Sequence, residues 1–306
     1  MAKPRSKRIW KLYNESLVKR GNVAVWFDTE LLTLWGKPAR HDGRGRPQKF
    51  CDSLIETLLT VREVFHLTFR SVEGFAQSIF CMLKINSFPV PDYTSLCKRS
   101  KKLDVKIKTY RRSQPTVILI DSTGLKVFGE GEWKVRMHGI SKRRTWRKIH
   151  IARGNDGQIH ACLITDNSVD DASAALKLLD SVKGNFQTVI ADGAYDKRKV
   201  YNYASKRGII PIIPPRKDGR FDTSKLFGSC SYLRDEALFY MRCGWFDSWK
   251  KKYGYHLRSL VETEMYRLKQ ITGNRLKSRL PETQTTEIIT RINVLNRFAA
   301  MSGIFC

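Results

Sequence analysis

Tyr255, Arg258, Glu262 and Lys269 recur at spacings that bring them together. At roughly 100° per residue on an ideal helix, the four fall within an arc of about 60°. Leu257, Leu260, Val261, Leu268 and Ile271 occupy a different arc, suited to a core. One face therefore carries a carboxylate with cations a turn or two to either side. That pattern suits metal-bound phosphate chemistry. It also suits an ordinary solvated face, since exposed charge pairs at i,i+3 and i,i+4 are common. Two more carboxylates bear on the choice. Thr116–Ile120 and Thr188–Ala191 are apolar, β-branched runs that read as buried strands, the first ending on Asp121 and the second on Asp192. On neighbouring strands the two aspartates approach one another, and close carboxylates raise each other's pKa. Divalent cations remove that cost. Mg²⁺ takes hard oxygen ligands from a few carboxylates, substrate phosphates and water. With Glu262 as third ligand, two metals about 4 Å apart clamp the attacking and leaving oxygens of an in-line phosphoryl displacement.

The charge of the chain points the same way. Its 306 residues hold 56 Lys and Arg against 29 Asp and Glu, a net +27. Such an excess calls for a polyanion, most simply nucleic acid, bound with salt-sensitive affinity. Residues 1–115 carry 23 basic and 10 acidic side chains and the remainder 33 and 19, so both halves meet the partner. The seven cysteines lack C-x-x-C spacing, which argues against a zinc finger and a secreted disulfide framework. No apolar run is long enough for a membrane span, and the basic N-terminus lacks a signal-peptide core. A reduced cytosol fits these features best.

The elements that position these residues follow in order. A basic arm leads to Arg44-Gly-Arg46-Pro, which resembles an AT-hook and reads equally as a basic linker. Apolar stripes from Leu54 to Phe65 and from Val72 to Leu83 predict two helices. Asp92 caps a third, which carries Lys98, Arg99, Lys101 and Lys102. Three short helices with the last one basic have the layout of a helix-turn-helix module, or of a small bundle with a solvated face. Residues 1–112 are assigned to this all-helical DNA-binding domain and 113–306 to an α/β catalytic domain. Within the latter, Lys126–Phe128 reads as a second strand, and two strands flank the hairpin turn Asn155-Asp-Gly157. Helices follow near 171–182 and 199–207. Ile209–Ile213 is a short strand placed at an edge by its proline, and 214–250 reads as an irregular basic and aromatic insertion. That succession is the RNase H-like order. Lys142, Arg143, Arg144, Arg147 and Lys148 cluster around Trp146, as a DNA backbone contact or a solvated strand edge. Trp245, Phe246 and Trp249 suit sheet packing, or stacking on an unpaired base.

The spacing Tyr255-x2-Arg258-x3-Glu262-x6-Lys269 matches the Y-x2-R-x3-E-x6-K motif of bacterial insertion-sequence transposases with a DDE site. Ala191-Asp-Gly-Ala-Tyr-Asp196, Arg144-Thr-Trp-Arg-Lys-Ile-His150, Asp121-Ser-Thr-Gly124, Arg44–Phe50 and Val90–Leu96 are similar to members of insertion-sequence family five. The resemblance implies an RNase H-like core with Asp121, Asp192 and Glu262 as ligands of two Mg²⁺ ions, Mn²⁺ substituting. It implies recognition of terminal inverted repeats by the N-terminal domain and a homodimer or higher assembly on DNA. Arg258 and Lys269 are expected on phosphates, and Tyr255 in packing or DNA contact. The chain has no room for the large all-β insertion that some related transposases carry before the glutamate. A resolvase-like nuclease of the same core and a catalytically silent DNA-binding protein remain open at this point.

Overall fold

The computed structural model describes residues 10–27, 35, 48–82, 89–110, 114–127, 146–223 and 228–302. The helices described before the sheet are α1 (Trp10–Arg20), α2 (Asp52–Val64), α3 (Phe69–Met82) and α4 (Tyr93–Ser100). Leu54, Ile55, Leu58, Leu59 and Val61 of α2 and Val72, Ala76, Ile79 and Phe80 of α3 are buried, as their helical spacing requires. Asp92 caps α4 by accepting the Ser95 N–H at 2.7 Å. Hydrogen bonds from the Thr94 hydroxyl and the Ser95 N–H lower its carboxyl to about 2.

A mixed sheet follows. β1 (Val117–Val127) pairs antiparallel with β2 (Trp146–Gly154), which turns into antiparallel β3 (Ile159–Thr165). Helix α5 (Asp171–Asp180) returns the chain to β4 (Thr188–Ile190), and α6 (Arg198–Arg207) to β5 (Ile210–Ile212). β4 lies parallel to β1 and β5 parallel to β4, giving the order β3-β2-β1-β4-β5. This α/β arrangement fits an RNase H-like core, and Pro211 sits on the edge strand. Ile118, Leu119 and Ile120 are fully buried, because β1 is covered on both faces. Ile118 and Ile120 pack with Ala175, Leu178 and Tyr201 of α5 and α6, and Leu119 packs on the opposite side.

Two local readings are corrected. β1 does not stop at Asp121: it runs unbroken to Val127, so Lys126 belongs to the same strand, and Phe128 lies outside the described residues. Gly124 permits this continuity, since a Cβ there would sit 3.1 Å from the Trp146 ring on the adjoining strand. The segment 214–250 is largely helical, with α7 (Ser231–Arg242) and α8 (Phe246–Tyr253). Ser231, Arg234, Ala237 and Leu238 form the buried face of α7; an arginine and a serine among them hid the apolar periodicity.

A 3-10 turn over Tyr255–Arg258 leads into α9 (Ser259–Thr272), and β6 (Arg275–Leu276) pairs with the end of β1. The last helix is α10 (Pro281–Ser302). The chain divides into two units, Met1–Lys108 with Ser278–Cys306, and Thr109–Lys277. The sequence boundary kept 278–306 with the sheet, whereas α10 belongs with the N-terminal helices. Buried Arg291 explains it: its guanidinium meets Glu63 of α2 at 3.0 Å and Glu287 at 2.5 Å. The Asn293 side chain also accepts the Lys108 N–H and donates to the Lys106 carbonyl. Removing one member of a buried ion network strands the others. Arg291→Ala is expected to cost the first unit about 3 kcal/mol, read as a lowered urea midpoint by tryptophan fluorescence. A change too small to measure would assign the cluster no part in holding α10.

Candidate active site

Asp121 and Asp192 meet because of strand register. The parallel pairing of β1 and β4 ends with Leu119 opposite Ile190. Asp121 is two residues beyond the first and Asp192 two residues beyond the second, and side chains alternate faces along a strand. Each carboxylate is fixed by its own backbone. Asp121 Oδ1 accepts the Ser122 N–H at 2.8 Å. Asp192 caps a 3-10 turn over Gly193–Tyr195, its Oδ1 accepting the Ala194 N–H at 2.9 Å. Farther along the same loop, buried Asp196 pairs with Arg234 of α7 at 2.8 Å and accepts the Arg216 N–H, which ties the loop to the helical insertion.

Glu262 comes over the sheet on α9. Val261 and Leu268 are buried, and Val261 packs with Leu119, Ile190 and Trp249. Glu264 faces inward to Arg153 of β2 at 3.8 Å. Glu262 itself lies in the first helical turn, where a carboxylate is favoured by the helix dipole. The expected single helical stripe is broken at one point: Tyr255 and Arg258 belong to the preceding 3-10 turn. Gly254 makes the break, ending α8 at φ 65°, a left-handed conformation that glycine adopts readily.

The arginine occupies the centre of the group. Arg258 Nη1 is 2.8 Å from Glu262 Oε1, and Nη2 is 3.9 Å from Asp121 Oδ2 and 3.7 Å from Asp192 Oδ2. The two longer contacts exceed hydrogen-bond length and are attractions of charge. Burial raises the Asp121 carboxyl above its ordinary value; the Ser122 N–H and Arg258 oppose this, and Asp192 and Glu262 add to it. Tyr255 packs on the buried Trp249, with ring centroids 5.4 Å apart. Burial foremost pushes its hydroxyl up to about 12, so it stays protonated at neutral pH.

The donor set fits a divalent cation. All three side chains offer hard oxygens, and both Asp Oδ2 atoms, without a hydrogen bond among the described residues, turn to one point. As they stand, no three His, Cys, Asp or Glu among the described residues are gathered closely enough to hold an ion, because a guanidinium lies between the carboxylates.

The other residues singled out by sequence are more scattered. Arg44, Arg46, Lys142, Arg143 and Arg144 lie outside the described residues. Lys98, Lys101 and Lys102 are exposed at the end of α4. Arg99 is turned inward, donating to the Phe50 carbonyl at 2.9 Å and pairing with Asp52. Arg147 pairs with Asp166, and Lys148 with Asp171 at 2.7 Å. Lys148 pairs with both β1 and β3, whereas Trp146 and Arg147 pair with β1 alone, as the strand-edge reading has them. Trp146 rests beside Gly124, with Lys126 Nζ 5.6 Å from its ring centre. Lys269 is half-buried, two turns past Glu262 on α9. Trp249 is core, stacked on Phe246, whereas Trp245 is 57% exposed. His150 and His160 are structural, bonded to Thr165 and Asp156 respectively. Sequence reasoning missed Arg234 and Glu264, charged residues buried at positions that periodicity reserves for apolar ones.

A family model described as a transposase DDE domain matches residues 112–297, more than half the chain and inclusive of all three carboxylates. A second model of the same description matches residues 18–130. Among solved structures, a piggyBac transposase synaptic complex with hairpin DNA is 13% identical over 95% of this chain and 74% of that one, with a TM-score of 0.41. A Mos1 transposase paired-end complex with the left transposon end is 10% identical over 76% of this chain and 81% of that one, with a TM-score of 0.24. At those scores the likeness adds nothing to the family match. The chain belongs to the DDE-domain transposase family.

Proposed function

We propose that this chain is a DNA transposase of insertion-sequence family five. It binds the terminal inverted repeats of its element, hydrolyses a phosphodiester at each end, and joins the freed 3′-hydroxyl to target DNA. The observation that carries the reading is the pair Asp121 and Asp192, set side by side by one strand register, with Glu262 brought over them by α9. A resolvase-like nuclease shares this chemistry but not the strand-transfer step. Two ends must be joined in one event, so a homodimer or higher assembly on DNA is expected.

DDE transposase domains generally use divalent metal ions, and Asp121, Asp192 and Glu262 are the residues that would hold them here, as Mg²⁺ or Mn²⁺. When bound, such ions activate the attacking oxygen and neutralise charge on the leaving one. The chain's own residues do the rest. The Ser122 and Ala194 N–H groups hold one oxygen of each aspartate still, which keeps the other aimed. Tyr255, protonated and packed on Trp249, fixes the turn that carries Arg258. Arg258 and Lys269 bind phosphates of the element end, the arginine through its planar fork and the lysine as a point charge. Lys98, Lys101 and Lys102 meet the DNA backbone from the N-terminal helix-turn-helix unit, along with Arg44 and Arg46. So does the cluster of Lys142, Arg143, Arg144, Trp146, Arg147 and Lys148.

On duplexes carrying the element ends with Mg²⁺, Asp121→Asn, Asp192→Asn and Glu262→Gln should each lose several kcal/mol of transition-state stabilisation, roughly 10²–10⁴-fold in cleavage and strand-transfer rates. Full activity in any one of them refutes the three-carboxylate site. Cleavage without strand transfer in the wild type would favour the resolvase-like reading.

Replacing Lys98, Lys101 and Lys102 by alanine should weaken end binding in fluorescence anisotropy. Each lost phosphate contact should flatten the log–log salt dependence by about 0.9. An unchanged slope would remove these lysines from the interface.

Burial raises the folded-state value of Asp121 above 3.8, so its ionisation opposes folding, and the opposition grows as pH rises past that ordinary value. Metal-free Asp121→Asn should therefore melt higher than wild type at neutral pH, with the gain vanishing below pH 3.8, where the wild-type carboxyl is protonated too. A gain that persists undiminished in acid would refute the charge as its cause.

A further inference from the structure

The geometry points to Arg258 as an internal counter-cation that keeps divalent ions out of the site until a DNA phosphate draws its guanidinium away, so that metal loading follows DNA binding. The inference rests on the three-carboxylate reading of the site. Each aspartate gives one oxygen to a local N–H and turns its other oxygen toward the same nitrogen, Arg258 Nη2, at 3.9 and 3.7 Å. A metal ion bridging those oxygens needs them at about 2.1 Å, within the space the guanidinium fills. Two cations at one point also repel, and the dielectric screening is weak for a side chain that is 23% exposed. Occupation by Arg258 and by metal are therefore mutually exclusive.

The arginine is held loosely enough to leave. Its contacts with the three carboxylates are ion pairs without hydrogen-bond geometry, the nearest to Glu262 at 2.8 Å, and its buried Nε has no hydrogen-bond partner among the described residues. Glu262 is itself half exposed, so the pair separates at the solvent side of the site. A DNA phosphate offers the guanidinium two parallel charge-assisted hydrogen bonds in place of these ion pairs. While it stays, the guanidinium holds three mutually repelling carboxylates together and so keeps the empty site assembled. Once it moves, the same carboxylates are bare beside a bound phosphate, which is the moment at which they are needed. By linkage, whatever factor DNA adds to metal affinity, metal adds to DNA affinity.

Isothermal titration of the full chain with Mn²⁺, with and without a short duplex, tests this. The wild type is expected to bind Mn²⁺ weakly alone and at least 10-fold more tightly with the duplex, after subtracting the ion taken up by the duplex itself. Arg258→Gln is expected to bind Mn²⁺ at least 10-fold more tightly than wild type without DNA, and to gain little when DNA is added. Arg258→Lys keeps a cation in place and should exclude metal as the wild type does. Arg258→Gln should also melt lower than wild type without metal and recover on adding Mn²⁺, which keeps the idea testable if the variant is poorly folded alone. Equal Mn²⁺ affinity of Arg258→Gln and wild type without DNA overturns the switch. So does a wild-type affinity indifferent to DNA. If Asp121→Asn and Glu262→Gln both bind Mn²⁺ as the wild type does, the three-carboxylate reading falls and takes the switch with it. If they lose Mn²⁺ while Arg258→Gln gains none, the switch alone falls.

Discussion

The parallel pairing of β1 with β4 is the constraint on which the carboxylate cluster depends. It spans three residue pairs, Val117–Thr188, Ile118–Val189 and Leu119–Ile190. A slip of one residue would send one aspartate to the opposite face and separate the carboxylates. Parallel strands need crossovers, and the crossovers are α5 and α6, which cover one face of the sheet. That burial admits the apolar runs Val117–Ile120 and Val189–Ala191. The opposite face needs its own cover, supplied by α8 and α9 through Trp249 and Val261. The helix that seals the second face therefore also delivers Glu262, so core packing and site assembly are one event.

Much of this was legible because the chemistry lies where patterns are strongest. Buried β-branched runs reveal strands, and the residues next beyond their pairing stand out as polar. Turn residues were equally plain: Asn155–Gly157 and the cap Asp92 act locally, within a few residues of their partners. What sequence could not display were elements held by charge instead of apolar surface. Arg234 sits where a leucine would have announced α7, and its reason for being there, Asp196, is 38 positions away. Arg291 likewise draws α10 to a glutamate 228 positions away. The length of β1 was hidden for a related reason. Asp121, Ser122, Thr123 and Gly124 look like a turn, yet they are strand residues paired with β2. The register Asp121–Ile151 through Lys126–Trp146 holds them extended.

The stripe on α9 shows how a motif's spacing and its geometry differ. On one ideal helix, four residues share a face and four similar roles are suggested. The 3-10 turn before Ser259 changes the outcome. It rotates Arg258 from a neighbour of Glu262 on a solvated surface into the space among all three carboxylates. It presses Tyr255 onto Trp249. Lys269, in the regular helix, stays about 10 Å along the axis from Glu262, too far to compete for the same anions. Two cations of equal charge thus acquire different tasks through backbone alone.

The electrostatics carry this one step further. A chain of net +27 attracts nucleic acid over distances set by screening, roughly 8–10 Å at physiological salt. Within that range the approaching phosphates meet Asp121, Asp192 and Glu262, which repel them. Long-range attraction and short-range repulsion therefore oppose each other at the carboxylate cluster. Arg258 reduces that repulsion while the site is empty, at the expense of filling it. A cation that stays beside the carboxylates while also taking phosphate oxygens would resolve the conflict, and oxygen-binding divalent ions have that property where a guanidinium paired with Glu262 does not. A cluster of three carboxylates inside a strongly basic protein is thus consistent with one physical requirement: the surface charge brings the polyanion, and a divalent ion entering as Arg258 leaves would let it stay.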